Sequence, residues 1–436
     1  MSAIIKQHPS LYKIVITHYL LAALTFLALA PMLLFSVKDF GGHYFQPHLL
    51  AITHTAALGW GTIIIFGACY QLMPVILETT LYSYKLAWFG LGVFYLGLLD
   101  FVYSFWVFEP GLHMQCGSLL LLTGICSFTI NIYITSQKIK KPDIYQDFIF
   151  TACIWLLATS ILGALMVFNF RYAFLPKDHL LFLKLHAHAG LGGWFLLLII
   201  GVSAKLLPMF LISGKTNIGL LKWSYYLINS ALLLFFVNTY IFGFNIFTFV
   251  IALTAIMGVI YWLIYVYQCF NSRFSTKLDA PMAHTLLSVL LLVIAIFILP
   301  FIIFYQLKAD EIAVRLTTVY GSLLFLGWIS SLILGQTFKT LPFIVWTKRS
   351  QHLLSSKTGL LPSKLYSSKI LSLQFLSYLI FIISFSTGLA WTIKPLIYLG
   401  LISYTVTAIL YIGNVLIVLF KKQANDIAEH DVYKLE

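Results

Sequence analysis

The segment HAHAGLGGW, residues 186–194, places two histidines inside a long apolar run. Ionisable side chains at membrane depth are costly and usually functional, and neutral imidazole is both a common metal ligand and an axial ligand of haem iron. Successive residues of an α-helix are about 100° apart around its axis, so His186 and His188 point to nearly opposite sides. One metal cannot take both unless the helix unwinds, and the spacing predicts that each histidine serves a different space.

The composition indicates what must position these histidines. Of the 436 residues 61% are hydrophobic and only 9% are charged, whereas about a quarter of an ordinary soluble domain is charged. A bilayer is crossed by roughly 20 apolar residues. Such runs lie near 14–37, 48–77, 84–107, 114–135, 147–170, 182–212, 219–241, 244–269, 282–306, 314–345, 369–390 and 394–420. The sequence therefore predicts an all-α polytopic membrane protein of about twelve helices, with residues 425–436 as a cytoplasmic tail.

The net charge of +13 does not point to nucleic acid, because the basic residues are unevenly distributed. Most lysines and arginines fall at the termini and in the loops that follow the even-numbered runs. The positive-inside rule then puts both termini in the cytoplasm and the basic loops near lipid headgroups. We expect an integral protein of a bacterial inner membrane. The five cysteines have no CxxC spacing and are expected to serve helix packing.

The second, sixth and tenth runs repeat one pattern. They read HTAALGWGTIIIFGACYQLMPVI, HAGLGGWFLLLIIGVSAKLLPMF and SLLFLGWISSLILGQTFKTLPFI. Each has Gly-Trp, a glycine seven residues after the tryptophan and a proline fourteen after it; the tryptophans are Trp60, Trp194 and Trp328. The repeat predicts three four-helix units, roughly 1–145, 146–280 and 281–424. Its small residues favour close helix packing.

Alignment on the tryptophans compares the histidines by depth. Six residues before the tryptophan stand His54, His188 and Ser322, and eight before stand Ile52, His186 and Tyr320. Three imidazoles at one depth in the outer half of the membrane favour a metal or haem site over hydrogen-bonded packing, which stays the alternative. Packing or surface roles are predicted for the other histidines near the membrane: His18, His43, His48, His113, His179 and His284.

The segments HAHAGLGGW and THTAALGWGTIIIFGACYQLMP resemble the haem-ligand helix of the catalytic subunits of haem-copper oxidases. They are most like the cbb-type branch, whose tenth helix has a His-x-His-x-Gly-Ala-Leu-Gly-Trp flavour. Similar His-x-His helices occur in NnrS-type membrane proteins linked to nitric oxide. The resemblance implies the twelve-helix fold of subunit I, haem b as cofactor, and electron transport or nitric-oxide handling with a cytochrome or quinol as electron donor.

The departures from this family concern its oxygen-reducing centre. In the family, helix 10 carries the His-x-His and helix 7 a histidine pair that holds copper. Here Tyr320 and Ser322 stand at the helix-10 positions, and the seventh run has no histidine. The resemblance therefore predicts neither oxygen reduction nor a copper at the usual site. If the chain is an enzyme, it is expected to be an oxidoreductase of the haem-copper oxidase or nitric oxide reductase type, with catalytic residues that the sequence does not identify.

The resemblance also implies ligands for a haem. In the family, one ligand of the low-spin haem stands six residues before the aligned tryptophan of helix 10. The other ligand stands eight residues before the aligned tryptophan of helix 2. Rotated by one repeat, this relation joins His54 to His186, and rotated again it joins His188 to Tyr320. We predict a six-coordinate b-type haem on His54 and His186, with a second pocket at His188 and Tyr320 that holds water or another ligand. Outer-side cations are predicted to meet the haem propionates, with solvated loop charges as the alternative: Arg171, Lys177 and Arg315.

Two other functions stay open on the sequence. The chain could be a twelve-helix transporter whose intramembrane histidines contact a substrate or metal. Against this, few carboxylates lie within the apolar runs to couple transport to protons or cations. It could also be a non-catalytic subunit of a respiratory complex, with relic histidines.

Overall fold

The described part of the chain forms twelve helices that are long and apolar enough to span a membrane. The computed structural model describes residues 9–76, 79–138, 143–214, 216–274, 279–350 and 361–421, so the predicted tail at 425–436 lies outside the described residues. The helices within these ranges are α1 Pro9–Phe35, α2 Pro47–Pro74, α3 Tyr84–Val107, α4 Leu112–Ser136, α5 Ile144–Tyr172, α6 His179–Leu211, α7 Ile218–Phe242, α8 Phe247–Asn271, α9 Ala280–Leu307, α10 Ile312–Arg349, α11 Ser368–Trp391 and α12 Lys394–Phe420. The predicted fold class is confirmed. The bounds of α3 and α12 coincide with the predicted runs.

Polar side chains fix the helix hairpins at equivalent places in the three predicted repeats. A polar cap residue precedes α3, α7 and α11: Ser83, Asn217 and Ser367. The backbone N–H of each cap donates to an amide side chain of the next helix, namely Asn131 (3.2 Å), Gln268 (3.1 Å) and Asn414 (2.8 Å). Helix-start N–H groups have no partner within their helix, and these bonds also tie each helix to its successor.

Removing one of these amides is expected to destabilise the bundle. Asn414 is fully buried, accepts from the Ser367 N–H and donates to the Ser367 carbonyl oxygen at 3.1 Å. Asn414→Leu would leave both backbone groups unpaired, at a cost of roughly 2–3 kcal/mol. The thermal unfolding midpoint of detergent-solubilised protein should fall. Thr123→Val, which removes a hydroxyl bonded only within its own helix, is the control, and an equal midpoint in both variants would contradict the expectation.

The three repeat-bearing helices share a feature that the sequence analysis did not predict. Each changes from α-helical to the wider π-helical geometry, at Thr55–Thr62 in α2, Ala189–Leu196 in α6 and Leu323–Ile329 in α10. Each widened segment contains the aligned Gly-Trp pair, and π-helical turns are frequent at functional sites. His186 and His188 precede the segment, in regular α-helix, so the angle between them is unaffected.

The aligned tryptophans form the centre of the bundle. Their side chains are at most 2% exposed. The indole N–H of Trp60 donates to Ser330 Oγ at 3.0 Å, and that of Trp194 donates to Thr62 Oγ1 at 3.1 Å. Each acceptor lies two residues after another aligned tryptophan, so α2, α6 and α10 are joined at the level of their widened turns.

Candidate functional site

His54 of α2 and His186 of α6 face each other. Their ring centres are 6.3 Å apart and the ring planes are inclined by 37°. His54 Nδ1 lies 2.8 Å from the Leu50 carbonyl oxygen, and His186 Nδ1 lies 2.9 Å from the Thr159 carbonyl oxygen. A carbonyl oxygen only accepts, so each Nδ1 carries a hydrogen, and in the neutral ring Nε2 is the nitrogen left for a ligand. Histidine metal ligands are commonly held in this way.

Neighbouring helices hold the two rings in place. His54 stacks on Phe105 of α3, with ring centres 5.0 Å apart and planes 10° apart, and Phe101 meets it edge-on at 5.1 Å. His186 lies against Gly163 of α5, where an added Cβ would come within 2.9 Å of His186 Cε1. The bond from His186 to Thr159 also crosses to α5. The pair is therefore fixed by α3 and α5 as well as by its own helices.

Among the described residues, no third protein ligand joins this pair. No cluster of three or more histidine, cysteine, aspartate or glutamate side chains that could hold a metal occurs among the described residues. A tetrahedral zinc site takes three or four protein ligands, and two histidines do not supply them. Haem iron takes its four equatorial nitrogens from the macrocycle and needs only axial ligands from the protein.

His188 serves a separate space. It lines a cavity of about 430 Å³ bounded mainly by α2 and α6–α11, and its lining includes Tyr320 and Ser322 but neither His54 nor His186. His188 Nδ1 lies 2.8 Å from the Lys184 carbonyl oxygen, so Nε2 is again the free nitrogen. Its ring packs on Phe235, 4.3 Å between centres. The two histidines of HAH therefore meet different partners, and the structure brings His188 and Tyr320 to one cavity.

The cavity has a basic residue other than the cations predicted to meet the haem propionates. Arg171 and Arg315 are exposed, and neither lines the cavity. Arg171 lies over the ring of Tyr172, 5.8 Å from its centre. Lys184 does line the cavity, with Nζ 5.2 Å from the centre of the Phe244 ring. Lys184 precedes His188 by four residues, so the two share a helix face. This spacing in the sequence could have identified Lys184 as a neighbour of His188.

The other histidines among the described residues have local partners away from the pair. His18 and His284 are buried towards the face that carries the termini; His18 Nδ1 bonds the Ile14 carbonyl oxygen at 2.7 Å, and His284 Nε2 lies 3.2 Å from Gln374 Nε2. On the opposite face, two histidines pair with aspartates and two pack on aromatic rings. The contacts are His48–Asp39 at 2.7 Å, His113–Asp100 at 3.3 Å, His43–Tyr44 and His179–Phe170.

The fold of the chain has a counterpart among solved structures. No family model matches the chain, and no curated protein matches it by sequence. Among solved structures, a chain from the cryo-EM structure of a haem-copper terminal oxidase dimer superposes with a TM-score of 0.62, covering 96% of this chain and 85% of that one. The chain has a haem-copper-oxidase-like fold. The identity of 12% limits this likeness to the fold.

Proposed function

We propose that the chain is a membrane haem protein that binds one b-type haem between His54 and His186 and transfers electrons through it. The observation that carries the proposal is the pair itself, in which two facing imidazoles are each anchored through Nδ1 to a backbone carbonyl. Anchoring of the non-ligating nitrogen is the usual support of histidine metal ligands. The oxidase-like fold supports a haem-binding redox protein in general terms.

The pair suits a haem better than a metal held by protein side chains alone. Its ring centres lie 6.3 Å apart, each Nδ1 is engaged by a backbone carbonyl, and the described residues supply no third ligand.

The chain's own residues determine the form of the haem. A covalently attached c-type haem uses a CxxCH motif, which the sequence lacks, so the proposed haem is held non-covalently, as a b-type haem is. When bound it supplies reversible one-electron chemistry. Because His54 and His186 would both hold the haem, the site suits electron transfer, and binding of nitric oxide or another small gas would require one histidine to be displaced.

Reduction of oxygen is not part of the proposal. The α10 positions that carry the family's His-x-His are Tyr320 and Ser322, and α7 contains no histidine. The donor set of the family's copper site is therefore missing. We further propose that both termini face the cytoplasm of a bacterial inner membrane, so that the pair lies towards the outer face, and that a cytochrome or quinol delivers the electrons.

The absorbance of the purified protein tests the proposal. We expect a b-type spectrum that changes on dithionite reduction, about one haem per chain by pyridine haemochrome assay, and little change when carbon monoxide is added. A folded protein that stays colourless after expression with haem supplementation would overturn the proposal. That result would favour a transporter or a non-catalytic subunit instead.

A further inference from the structure

The polar side chains that line the 430 Å³ cavity are gathered at one end of it. On α2, α6 and α10, every polar lining residue except Trp328 stands six to eleven residues before the aligned tryptophan. They are Thr53, Lys184, His188, Thr317, Thr318, Tyr320 and Ser322. Nearer to the tryptophans, the lining residues of the same helices carry no polar side chain. They are Ala56, Leu191, Gly192, Leu196, Leu324, Phe325 and Leu326.

The other helices around the cavity show the same gradient. Their polar lining residues are Thr248 in the first turn of α8 and Gln306 in the last turn of α9. Successive helices run in opposite directions, so both residues lie at the face opposite the termini, as does Tyr44 between α1 and α2. The lining residues deeper in α7, α8 and α9 are aliphatic, among them Ile228 and Leu292. The cavity is therefore amphipathic along the membrane normal.

Lys184 brings a positive charge to the polar end. It is half-buried, and it is the one charged residue of a lining that contains no aspartate or glutamate. None of the ion pairs among the described residues includes Lys184, although Asp178 caps the same helix. Its Nζ lies 5.2 Å from the centre of the Phe244 ring. A partly buried charge without a counter-ion costs free energy, so an anion at this end would be stabilised.

Neighbouring side chains can donate hydrogen bonds to the same anion. The Gln306 amide and the Tyr320 hydroxyl line the cavity and form no hydrogen bond to a described residue. Thr318, at the same aligned depth as Lys184, donates its hydroxyl to the Val314 carbonyl oxygen. An ammonium, an amide N–H and a phenol are donors that a carboxylate accepts, and those bonds are strong because the acceptor is charged.

The dimensions of the cavity suit one acyl chain. Its lining extends along α8 from Thr248 to Val259 and along α9 from Leu292 to Gln306, which is about 16 and 21 Å at 1.5 Å per residue. The acyl chains of one leaflet cover about 15 Å, half of the hydrocarbon core. The volume of 430 Å³ lies in the range of roughly 300–1,000 Å³ that is usual for small-molecule sites.

We propose that this cavity binds a long-chain fatty acid. The carboxylate would lie at Lys184, with Gln306 and Tyr320 as hydrogen-bond donors, and the chain would extend towards Trp328 along the aliphatic walls. One negative charge on one chain matches the single cation and the apolar inner part. The proposal goes beyond the haem and concerns a space that neither His54 nor His186 lines, so it stands whether or not they hold a cofactor.

Photolabelling of the full chain in phosphatidylcholine nanodiscs tests the proposal. The probe is palmitate with a diazirine halfway along its chain, and the labelled residues are identified by mass spectrometry. We expect saturable labelling of the aliphatic walls, for example at Ile228, Val259 or Leu292. Unlabelled palmitate should compete, and hexadecanol, which has the same chain and an uncharged head, should compete at least about tenfold less well.

Two variants separate recognition of the head from recognition of the chain. Lys184→Gln should weaken competition by palmitate about tenfold, because it removes the cation. Lys177→Gln is its matched control, since Lys177 does not line the cavity and donates to the Tyr240 carbonyl oxygen. Ala255→Phe would fill the inner part and should weaken palmitate more than octanoate. Its control is Met257→Phe, at a position of the same helix that is 45% exposed and outside the lining.

Three results would overturn the proposal. The first is equal competition by hexadecanol and palmitate, and the second is labelling confined to the outer surface of the bundle. The third is unchanged competition in both Lys184→Gln and Ala255→Phe, with folding of each variant checked by thermal unfolding. A second haem per chain that blocks labelling and is lost in His188→Ala would also overturn it. Haem at the His54–His186 pair is measured separately, so failure of either proposal is distinguishable.

Discussion

His186→Ala is expected to abolish stable haem binding. The substitution removes one of the two imidazoles whose centres lie 6.3 Å apart, and no described histidine, cysteine, aspartate or glutamate completes a three-ligand group there. His54→Ala should have the same effect. Since the two ligands act on one iron, the double variant should lose little more than either single variant. Haem per chain should fall at least tenfold, measured by pyridine haemochrome on purified protein.

His188→Ala is the matched control for this prediction. His188 lies two residues from His186 but lines the separate cavity and contacts Phe235, so its removal should leave the haem content unchanged. Loss of haem in His188→Ala together with retention in His186→Ala would show that the haem lies in the cavity instead.

A conservative replacement separates ligation from folding. In His54→Met a thioether could still hold the iron, and Met/His ligation raises the reduction potential relative to bis-histidine. We expect this variant to retain some haem with a higher midpoint potential in a spectroelectrochemical titration. An unchanged potential in a haem-loaded His54→Met protein would mean that His54 is not a ligand.

The helices and the separation of the two histidines could be predicted from the sequence, because both depend on local regularities. Apolar length gives the spans, and an advance of about 200° over two residues separates His186 from His188. Alignment on the tryptophans gives the relative depth of the histidines despite the three π-helical segments, because all three helices change to π-helical geometry at the same aligned position.

The contacts between helices could not be predicted in this way. Nothing in the local pattern shows that Arg171 is exposed while Lys184 reaches the cavity, because this depends on how α5 and α6 are each rotated against their neighbours. The π-helical segments were also missed, since the residues around Gly-Trp are compatible with ordinary α-helix. The hydrogen bonds by which Trp60 and Trp194 join α2, α6 and α10 are also contacts between helices, which a local pattern does not show.

The second large effect is expected at the repeated glycine seven residues after each tryptophan. An added Cβ at Gly67 or Gly201 would come within 2.5 Å of the Cβ of His18 or Phe148. At Gly335 it would come within 2.5 Å of the Pro281 carbonyl oxygen and 2.7 Å of the His284 Cβ. In each case the helix that opens the predicted repeat packs directly on the glycine.

Gly335→Ala is therefore expected to destabilise the protein by about 1–3 kcal/mol or more, since the obstacle is a backbone oxygen that no rotamer change can move. The thermal unfolding midpoint in detergent should fall well below that of the wild type. Gly92→Ala is the control, because Gly92 has nothing within 4 Å of the added Cβ and alanine favours the helix. Equal midpoints in the two variants would contradict the close packing of α9 on α10.

Haem per folded chain should stay unchanged in Gly335→Ala. Gly335 follows Trp328, whereas the proposed ligand positions precede the tryptophan in the aligned helices. This variant therefore separates a loss of packing from a loss of a haem ligand.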